Sequence, residues 1–380
     1  MQISPAKISP LFDPKFTPPY CPNTECAAHR DSKCFKWFRH ASYATRLGRV
    51  PRFRCRGCWR TFSSSRFKPT YYMKRPLLLE PIACGLVAGS AQRQLARSLS
   101  CSHQTVSQLA ARLGRHAFLY QARALASQIR ITEPVIYDDF ETFAYSQDAA
   151  LGVGTAVGAS SFFLYSIEAT RHRGPGNLAK RGKPIEPDRF AHGYHNAFKR
   201  TLDRLLPLVP KGTSLSLTTD GHTGYLRGLR EHPERERVEY RIFKNPKGRK
   251  KGQARSAEAR LRDAAHFASD LCHKLMRHSL ADHRRETIAH GKRHCGVMER
   301  IAVFMVWRNF IKHRSERKPG ATPAMQLGLT DKPLSWEELL SERLLPSRIS
   351  LSESWMQIFN RNWVTPELGR NTRHRRVHAT

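Results

Sequence analysis

The order of strand-like and helix-like segments between residues 134 and 315 constrains the fold of this chain more than any other feature. Three strand-like segments come first, and helical segments then alternate with two more strands. In order, the segments are strands at 134–145, 151–158 and 161–169, a helix at 196–208, a strand at 214–219, a short helix at 222–231, a strand at 237–243 and mainly helix to about 315. This alternation predicts a mixed α/β domain with helices packed on a sheet.

Two aspartates stand at the ends of strand-like runs in this segment. Asp138 ends the run that begins at Pro134, and Asp220 ends the run that begins at Ser214. The order of elements is that of an RNase H-like domain, in which the first and fourth strands lie side by side. In such a fold the two carboxylates are neighbours across the sheet. The final helix crosses the same sheet, so we expect it to bring Asp270 to the pair as a third acid.

The net charge of the chain indicates what these acids would do. The chain has 65 Lys and Arg against 31 Asp and Glu, a formal charge of +34, which predicts a polyanionic partner such as DNA or RNA. Carboxylates repel a polyanion unless divalent cations lie between them and the phosphates. Two cations about 3.5–4 Å apart would activate water or a 3′-hydroxyl and stabilise the leaving oxygen. Oxygen ligands favour Mg²⁺ or Mn²⁺.

The helix that carries Asp270 has a basic face. Seven residues turn a helix by about 700°, so Asp270 and Arg277 share one face, and Lys274 lies on it too. A metal-binding acid followed by phosphate-binding cations suits contact with DNA. The same pattern also fits an ordinary solvated face with i,i+4 ion pairs. The residues expected to pack on the sheet are Phe267, Leu271 and Leu275.

Three other acids are rivals for the metal positions: Asp139, Glu286 and Glu299. Asp139 should point to the opposite face of the sheet from Asp138, because side chains alternate along a strand. Glu286 has Arg293 seven residues later, which repeats the spacing of Asp270 and Arg277.

Two short cysteine pairs near the N-terminus predict a zinc ribbon. The pairs, Cys21-x4-Cys26 and Cys55-x2-Cys58, are 28 residues apart. Zinc takes four soft ligands in a tetrahedron, and two short loops supply them in pairs. The alternative is four unrelated thiols, and Cys34 and His29 are possible substitute ligands. The other four cysteines are expected to be buried or surface thiols without a role in metal binding: Cys84, Cys101, Cys272 and Cys295.

The segment 92–109 has the pattern of a helix-turn-helix. We expect Ser102 to cap a second helix at 103–115. In a DNA-binding unit its first residues enter the groove and later basic residues meet phosphates. The expected groove residues are His103, Gln104, Thr105 and Ser107, and the expected phosphate contacts are Arg112 and Arg115. A plain helical hairpin is the alternative.

With ribbon, helix-turn-helix and three acids in this order, the chain resembles a bacterial insertion-sequence transposase. The ribbon part of the resemblance is Cys55-Arg-Gly-Cys58-Trp-Arg-Thr-Phe62. In the catalytic part, Asp138-Asp-Phe-Glu-Thr-Phe143 resembles the first acid motif, and Thr219-Asp-Gly-His-Thr-Gly-Tyr225 resembles the second. Asp270 to Arg277, followed by Arg285-Glu-Thr-Ile-Ala-His-Gly-Lys292, resembles the helix of the third acid and the signature after it. The resemblance covers about 21–315.

The resemblance implies metal-dependent DNA cleavage and strand transfer. The implied partners are double-stranded DNA, both element ends and target, and further copies of the chain. The family usually has Glu at the third position, where this chain has Asp270, 50 residues after Asp220. Glu286 would keep the usual residue type, whereas the downstream signature aligns better with Asp270. Two other functions stay open: a DNA-binding regulator with an inactive catalytic domain, and a host nuclease of RNase H-like fold.

The predicted organisation is five segments. They are an irregular N-terminus at 1–20, a zinc ribbon at 21–70, a helix-turn-helix domain at 71–130, an RNase H-like catalytic domain at 131–315, and a C-terminal extension at 316–380 with a disordered basic tail. No apolar run approaches the roughly 20 residues that span a membrane, and no signal-peptide segment is visible. We therefore expect no membrane partner and a cytoplasmic, nucleoid-associated protein of a bacterium.

Overall fold

The chain forms a mixed α/β structure with two sheets and two compact units. One unit comprises residues 1–79 and 336–350, and the other comprises 80–335 and 351–380. The structure is a computed structural model, and it describes residues 13, 15–45, 48–127, 129–144, 150–171, 193–246, 253–285, 287–315, 320–363 and 365. The predicted basic tail and Glu286 lie outside these residues, as does most of the predicted irregular N-terminus.

The first unit is built on a small antiparallel sheet. Its strands, in spatial order, are β1 (Trp37–Thr45), β2 (Gly48–Cys55) and β3 (Thr61–Ser63). The core is aromatic: Phe53 packs edge-on against Trp37 with ring centroids 5.1 Å apart, and stacks on Phe62 at 5.8 Å. A short helix, Trp336–Leu339, belongs to the same unit. The backbone amide of Arg343 donates to the carbonyl of Phe67 at 2.6 Å, so residues 336–350 pack on this sheet unit.

The second unit begins with three helices. These are α1 (Leu79–Val87), α2 (Gln92–Ser98) and α3 (His103–Ser127). Ser102 caps α3 as predicted, because its hydroxyl accepts a hydrogen bond from the Thr105 amide at 3.0 Å. The expected end of this helix at 115 is wrong. The helix runs to Ser127 because apolar residues at helical spacing continue, and Phe118 and Leu125 are buried.

A five-stranded sheet follows, in the spatial order β6-β5-β4-β7-β8. The strands are β4 (Val135–Phe143), β5 (Ala150–Gly158), β6 (Leu164–Arg171), β7 (Leu215–Thr219) and β8 (Val238–Ile242). The first three are antiparallel to one another, whereas β4, β7 and β8 are parallel. The predicted neighbourhood of the first and fourth strands of this sheet is therefore confirmed.

Helices cover both faces of this sheet. Those after the sheet's first three strands are α4 (Gly193–Leu205), α5 (Thr223–Arg230), α6 (Ala257–Ala265), α7 (Phe267–Ser279), α8 (His294–Val306) and α9 (Glu353–Phe359). Tyr137 on β4 packs edge-on against Phe198 of α4, whereas its strand neighbour Phe140 packs against His273 of α7. Since successive side chains on a strand point to opposite faces, α4 and α7 lie on opposite sides of β4.

The packing face of α7 differs from the expected one. Phe267 is 56% exposed, and Leu271 and Leu275 are only half-buried. The buried residues of the helix are Ala268, Ser269, Cys272, Met276 and Ser279. Apart from Met276, the side chains on this face are small. Asp270 borders it.

Helix α8 is buried along its whole length and packs against α3. No described helix is both long and apolar enough to cross a bilayer. The two helices meet at Gly114, where a Cβ atom would stand 2.6 Å from the Cα of Glu299. Glu299 is buried and binds the Arg361 guanidinium through two hydrogen bonds of 2.9 Å. Glu299 is thus held in an ion pair, which removes it as a rival metal ligand.

Replacing Gly114 with Ala should lower the free energy of unfolding by about 1–3 kcal/mol, because the added methyl group meets backbone atoms of α8. By helix propensity alone, alanine is more favourable than glycine by about 1 kcal/mol. A net loss of stability would therefore show that the close approach of α3 and α8 outweighs this gain. Urea-induced unfolding followed by circular dichroism measures the change. Gln108→Ala, at an exposed position of the same helix, is the control and should be nearly neutral.

Candidate functional site

The four predicted cysteines form a cluster in the first unit. The Sγ atoms of Cys21, Cys26, Cys55 and Cys58 all lie within 4.8 Å of one another. The Cys21–Cys58 sulfur distance is 3.6 Å, and the Cys26–Cys55 distance is 4.0 Å. A tetrahedron with zinc–sulfur bonds of about 2.3 Å has edges of roughly 3.8 Å. The cluster therefore fits zinc in both donor chemistry and size.

The second cysteine loop favours the thiolate of Cys58, whereas burial raises the pKa of Cys21 and Cys26 in the first loop. The amide of Gly57 donates to the Cys55 sulfur at 3.3 Å, and Trp59 turns the chain with a left-handed φ of 58°. Burial raises the pKa of Cys58, but hydrogen bonds from the Arg60 backbone and the Asn23 side chain, with smaller effects of Cys21 and Cys55, lower it to about 7 overall. The thiolate is the form that binds a metal.

The two substitute ligands do not join the cluster. The Cys34 thiol is exposed and donates to an Asp31 carboxylate oxygen at 3.0 Å. His29 has both ring nitrogens engaged, Nδ1 with the Cys21 carbonyl at 2.7 Å and Nε2 with the Ser347 hydroxyl at 2.8 Å. His29 thus holds the backbone of a cysteine ligand in place instead of acting as a ligand itself.

Zinc content provides a direct test. Cys26→Ser should reduce bound zinc from about one ion per chain to nearly none, because three sulfur ligands no longer close a tetrahedron. Atomic absorption on protein purified without chelators measures the ratio. Cys34→Ser, which removes a nearby thiol outside the cluster, should keep the full ratio. Loss of zinc in this control would show that the ligand set is different.

In the second unit, the strand register aligns Asp138 with Asp220. The parallel pairs Val135–Leu217 and Ile136–Thr218 have the same offset as Asp138 and Asp220. Because β7 ends at Thr219, Asp220 leaves the sheet at the level where Asp138 is still part of β4. The two carboxylates therefore lie at one place on adjacent strands.

Asp220 is fixed by a tight turn. One carboxylate oxygen accepts a hydrogen bond from the His222 amide at 2.9 Å, and the other accepts one from the Asn245 side chain at 3.0 Å. Gly221 has a φ of 79°, a conformation that favours glycine, and it turns the chain into α5.

Asp138 is influenced by both other acids of the predicted trio. Burial is the largest cause of a pKa raised to about 7, and repulsion by Asp220 adds to it. A hydrogen bond from the Asp139 amide and the charge of Arg262 oppose the rise, whereas Asp270 contributes a smaller increase. The structure thus brings Asp220 and Asp270 within electrostatic reach of Asp138.

Asp270 already has a cation beside it. The Arg262 guanidinium on α6 donates to its carboxylate at 2.5 Å. Among the residues that the structure describes, the four cysteines are the one group of three or more potential ligands with all donor atoms within 4.8 Å. The three acids are neighbours, but their carboxylate oxygens do not all lie within 4.8 Å of one another, as the four cysteine sulfurs do.

Of the rival acids, Asp139 lies on the other face of the sheet, as expected from the alternation of side chains. Its carboxylate accepts a hydrogen bond of 2.7 Å from the Tyr225 hydroxyl. Burial, with smaller repulsion from Asp138, raises its pKa well above the usual range, although the bond from Tyr225 acts against this rise.

Two histidines beside the acids were missed by the sequence reasoning. His273 has its Nδ1 atom 3.8 Å from an Asp138 carboxylate oxygen, and its Nε2 atom is 2.8 Å from the Thr155 hydroxyl. Burial and then the charge of Arg277 lower the pKa of His273 to about 3, so the ring is neutral. His266 is fully buried. The spacing 266, 270, 273 places all three on one helical face, a signal that was available in the sequence.

The predicted DNA-binding residues differ in exposure. His103, Gln104 and Lys274 are exposed, whereas Thr105, Ser107 and Arg112 are half-buried. The Arg277 guanidinium donates to the carbonyls of Glu141 and His283, at 2.9 and 3.2 Å, and lies 4.7 Å over the Phe140 ring. In this conformation the Arg277 side chain joins α7 to β4, and some of its N–H donors are used within the protein instead of facing outward to DNA.

Comparisons with known proteins add no family to this description. No protein-family model matches the sequence, and a search of curated proteins found no similar sequence.

The raised pKa of Asp138 predicts a pH-dependent stability without divalent cations. Between about pH 4 and 7 the folded protein keeps the proton on Asp138, whereas the unfolded chain has lost it. The free energy of unfolding therefore falls as the pH rises through this window. Asp138→Asn should therefore be more stable than the wild type at pH 8, by up to a few kcal/mol, and the difference should shrink towards pH 4. Urea unfolding in EDTA at both pH values measures it. A pH-independent difference would contradict the assignment.

Proposed function

We propose that the protein is a metal-dependent DNA strand transferase of the insertion-sequence transposase class, with an RNase H-like catalytic unit. The observation that carries the proposal is the parallel register that aligns Asp138 with Asp220, while Asp270 lies on a helix that packs on β4, the strand of Asp138, and on β5. Asp138 is repelled by both other carboxylates, and in a chain of formal charge +34 such a group of acids requires a cation if it is to meet a phosphodiester.

The strand order supports the proposed fold. Three antiparallel strands are followed by two strands parallel to the first, with spatial order third, second, first, fourth, fifth. This is the order expected of an RNase H-like domain. The acids then occupy the first strand, the end of the fourth strand and a helix after the fifth, as the sequence resemblance implies.

Asp138, Asp220 and Asp270 would hold Mg²⁺ or Mn²⁺, which would activate a water or 3′-hydroxyl and stabilise the leaving oxygen. The protein prepares this site in three ways. Asn245 and the His222 amide orient the Asp220 carboxylate, burial keeps a proton on Asp138 near neutral pH, and Arg262 neutralises Asp270. Each of these interactions offsets repulsion between the acids until a cation replaces it.

Two further units would bind DNA. The cysteine cluster supports a zinc ribbon, and the exposed start of α3 presents His103 and Gln104 where a recognition helix would present its base contacts. Double-stranded DNA, as element ends and target, is the proposed partner, and a homo-oligomer would bridge two ends.

One observation favours a second function, a DNA-binding regulator without catalysis. The Arg262–Asp270 ion pair of 2.5 Å occupies the third carboxylate. If this pair persists when DNA is bound, the site holds too few free ligands for two cations. Such a protein would bind specific DNA without cutting it.

Asp220→Asn tests the proposed activity. Cleavage of a plasmid that carries the DNA flanking the gene, with Mg²⁺ or Mn²⁺, should fall at least about a hundredfold, because the substitution removes one negative metal ligand. DNA affinity, measured by gel shift at one fixed salt concentration, should stay the same. Asp331→Asn, at an exposed position, is the matched control.

The possible outcomes separate the candidate functions. Specific binding without any metal-dependent nicking by the wild type would identify a regulator. Cleavage that survives in Asp220→Asn would show that the carboxylates are not the catalytic site. Cutting of any DNA without preference for the flanking sequence would point to a nuclease.

A further inference from the structure

Two histidines beside the acids, one of them fully buried, have no role in the proposed chemistry. His266 and His273 lie one helical turn before and after Asp270, on the same face. His266 is fully buried.

The hydrogen bonds of Thr155 determine which nitrogen of His273 carries the proton. The Thr155 hydroxyl donates its single proton to the backbone carbonyl of Asp138 at 2.9 Å. The same oxygen lies 2.8 Å from His273 Nε2. Since the hydroxyl proton is already used, Nε2 must be the donor in this second bond. In the neutral form of the ring, which is the form that binds a metal, the lone pair then lies on Nδ1.

That lone pair faces a carboxylate. His273 Nδ1 is 3.8 Å from Asp138 Oδ2, too far for a hydrogen bond. A metal bonded to one nitrogen and one oxygen, at about 2.0–2.2 Å each, holds them about 3.0 Å apart at a right angle and about 4.2 Å apart in a straight line. The observed separation lies within this reach. A cation between the two atoms would satisfy both.

The hydrogen bond to Thr155 also has the form expected of a metal-binding histidine. Such histidines usually donate their other ring N–H to a fixed oxygen, which sets the tautomer and the ring orientation. Here the fixed oxygen belongs to the residue paired with Asp138 in the sheet. The strand pair thus orients both candidate ligands, the carboxylate directly and the imidazole through Thr155.

We propose that His273 Nδ1 binds the same cation as Asp138, so that the site has mixed nitrogen and oxygen ligands and favours a transition-metal ion such as Mn²⁺ over Mg²⁺. The preference follows because Mg²⁺ demands oxygen ligands, whereas imidazole nitrogen suits first-row transition metals. The inference rests on the proposed metal site at the three acids and adds a ligand that the sequence resemblance does not imply.

Metal binding to the full chain, with its cysteine cluster loaded with zinc, tests the proposal without using activity. Dissociation constants for Mn²⁺ and Mg²⁺ come from calorimetry, and pulsed electron paramagnetic resonance of bound Mn²⁺ detects a coordinated ¹⁴N. The wild type should show the nitrogen coupling and bind Mn²⁺ at least about tenfold more tightly than Mg²⁺. His273→Gln should lose the nitrogen coupling and reduce the preference for Mn²⁺ over Mg²⁺ about tenfold. Changes of this size are typical when a residue around a metal site is replaced.

The controls make the result specific. His273→Gln keeps an amide that can donate to Thr155, and circular dichroism verifies that the variant is folded. His278→Gln, at an exposed position of the same helix, should leave both constants and the coupling unchanged. The wild-type spectrum is independent of whether any variant folds, so absence of nitrogen coupling there overturns the inference directly.

Asp220→Asn separates failure of the inference from failure of the proposed site. If this variant loses Mn²⁺ binding while the wild type shows no nitrogen coupling, the acids bind metal and His273 does not. Coupling that persists in His273→Gln likewise overturns the role of His273. If Asp220→Asn binds Mn²⁺ as the wild type does, the cation lies elsewhere, and both proposals fail.

Discussion

The parallel pairing of β4 with β7 is the interaction on which the candidate acid site depends. Only two residue pairs define it, Val135–Leu217 and Ile136–Thr218, yet their offset aligns two aspartates that are 82 positions apart in the chain. A slip of one residue would turn one set of side chains to the opposite face of the sheet. The register is held because Val135 and Leu217 are buried, so packing of apolar residues determines where the charges meet.

Arginine is the usual partner of buried acids elsewhere in this basic chain. Asp282 binds Arg300, and Glu299 binds Arg361. Glu168, 1% exposed, binds two arginines of α4 and the Ser354 hydroxyl. Asp138 and Asp220 lie beside a histidine, an amide side chain and each other. Arg262 acts on Asp138 through its charge but pairs with Asp270. Under the proposed function, a cation from solution would take the place that arginine has beside the other buried acids.

Much of the fold could be predicted from sequence because its elements have clear periodicity. The five strands and the cap at Ser102 were found within a few residues, and the order of elements gave the neighbourhood of β4 and β7. The prediction of which face of α7 packs on the sheet was wrong. Periodicity shows which residues share a face but not which face meets the sheet. His273 was missed because its meaning depends on Thr155, which is 118 residues away in sequence.

Helix α3 has no break along its 25 residues, so it is a rod of about 37 Å. Its first residues are those that would read DNA, and its later part packs against α8 at Gly114. One inserted residue would rotate its start by about 100° relative to the sheet, whereas three or four would nearly restore the original face. Homologous chains should therefore vary in the length of this helix by whole turns. If the proposed function holds, the distance between the bases that are read and the bonds that are cut would change in steps of about 5 Å.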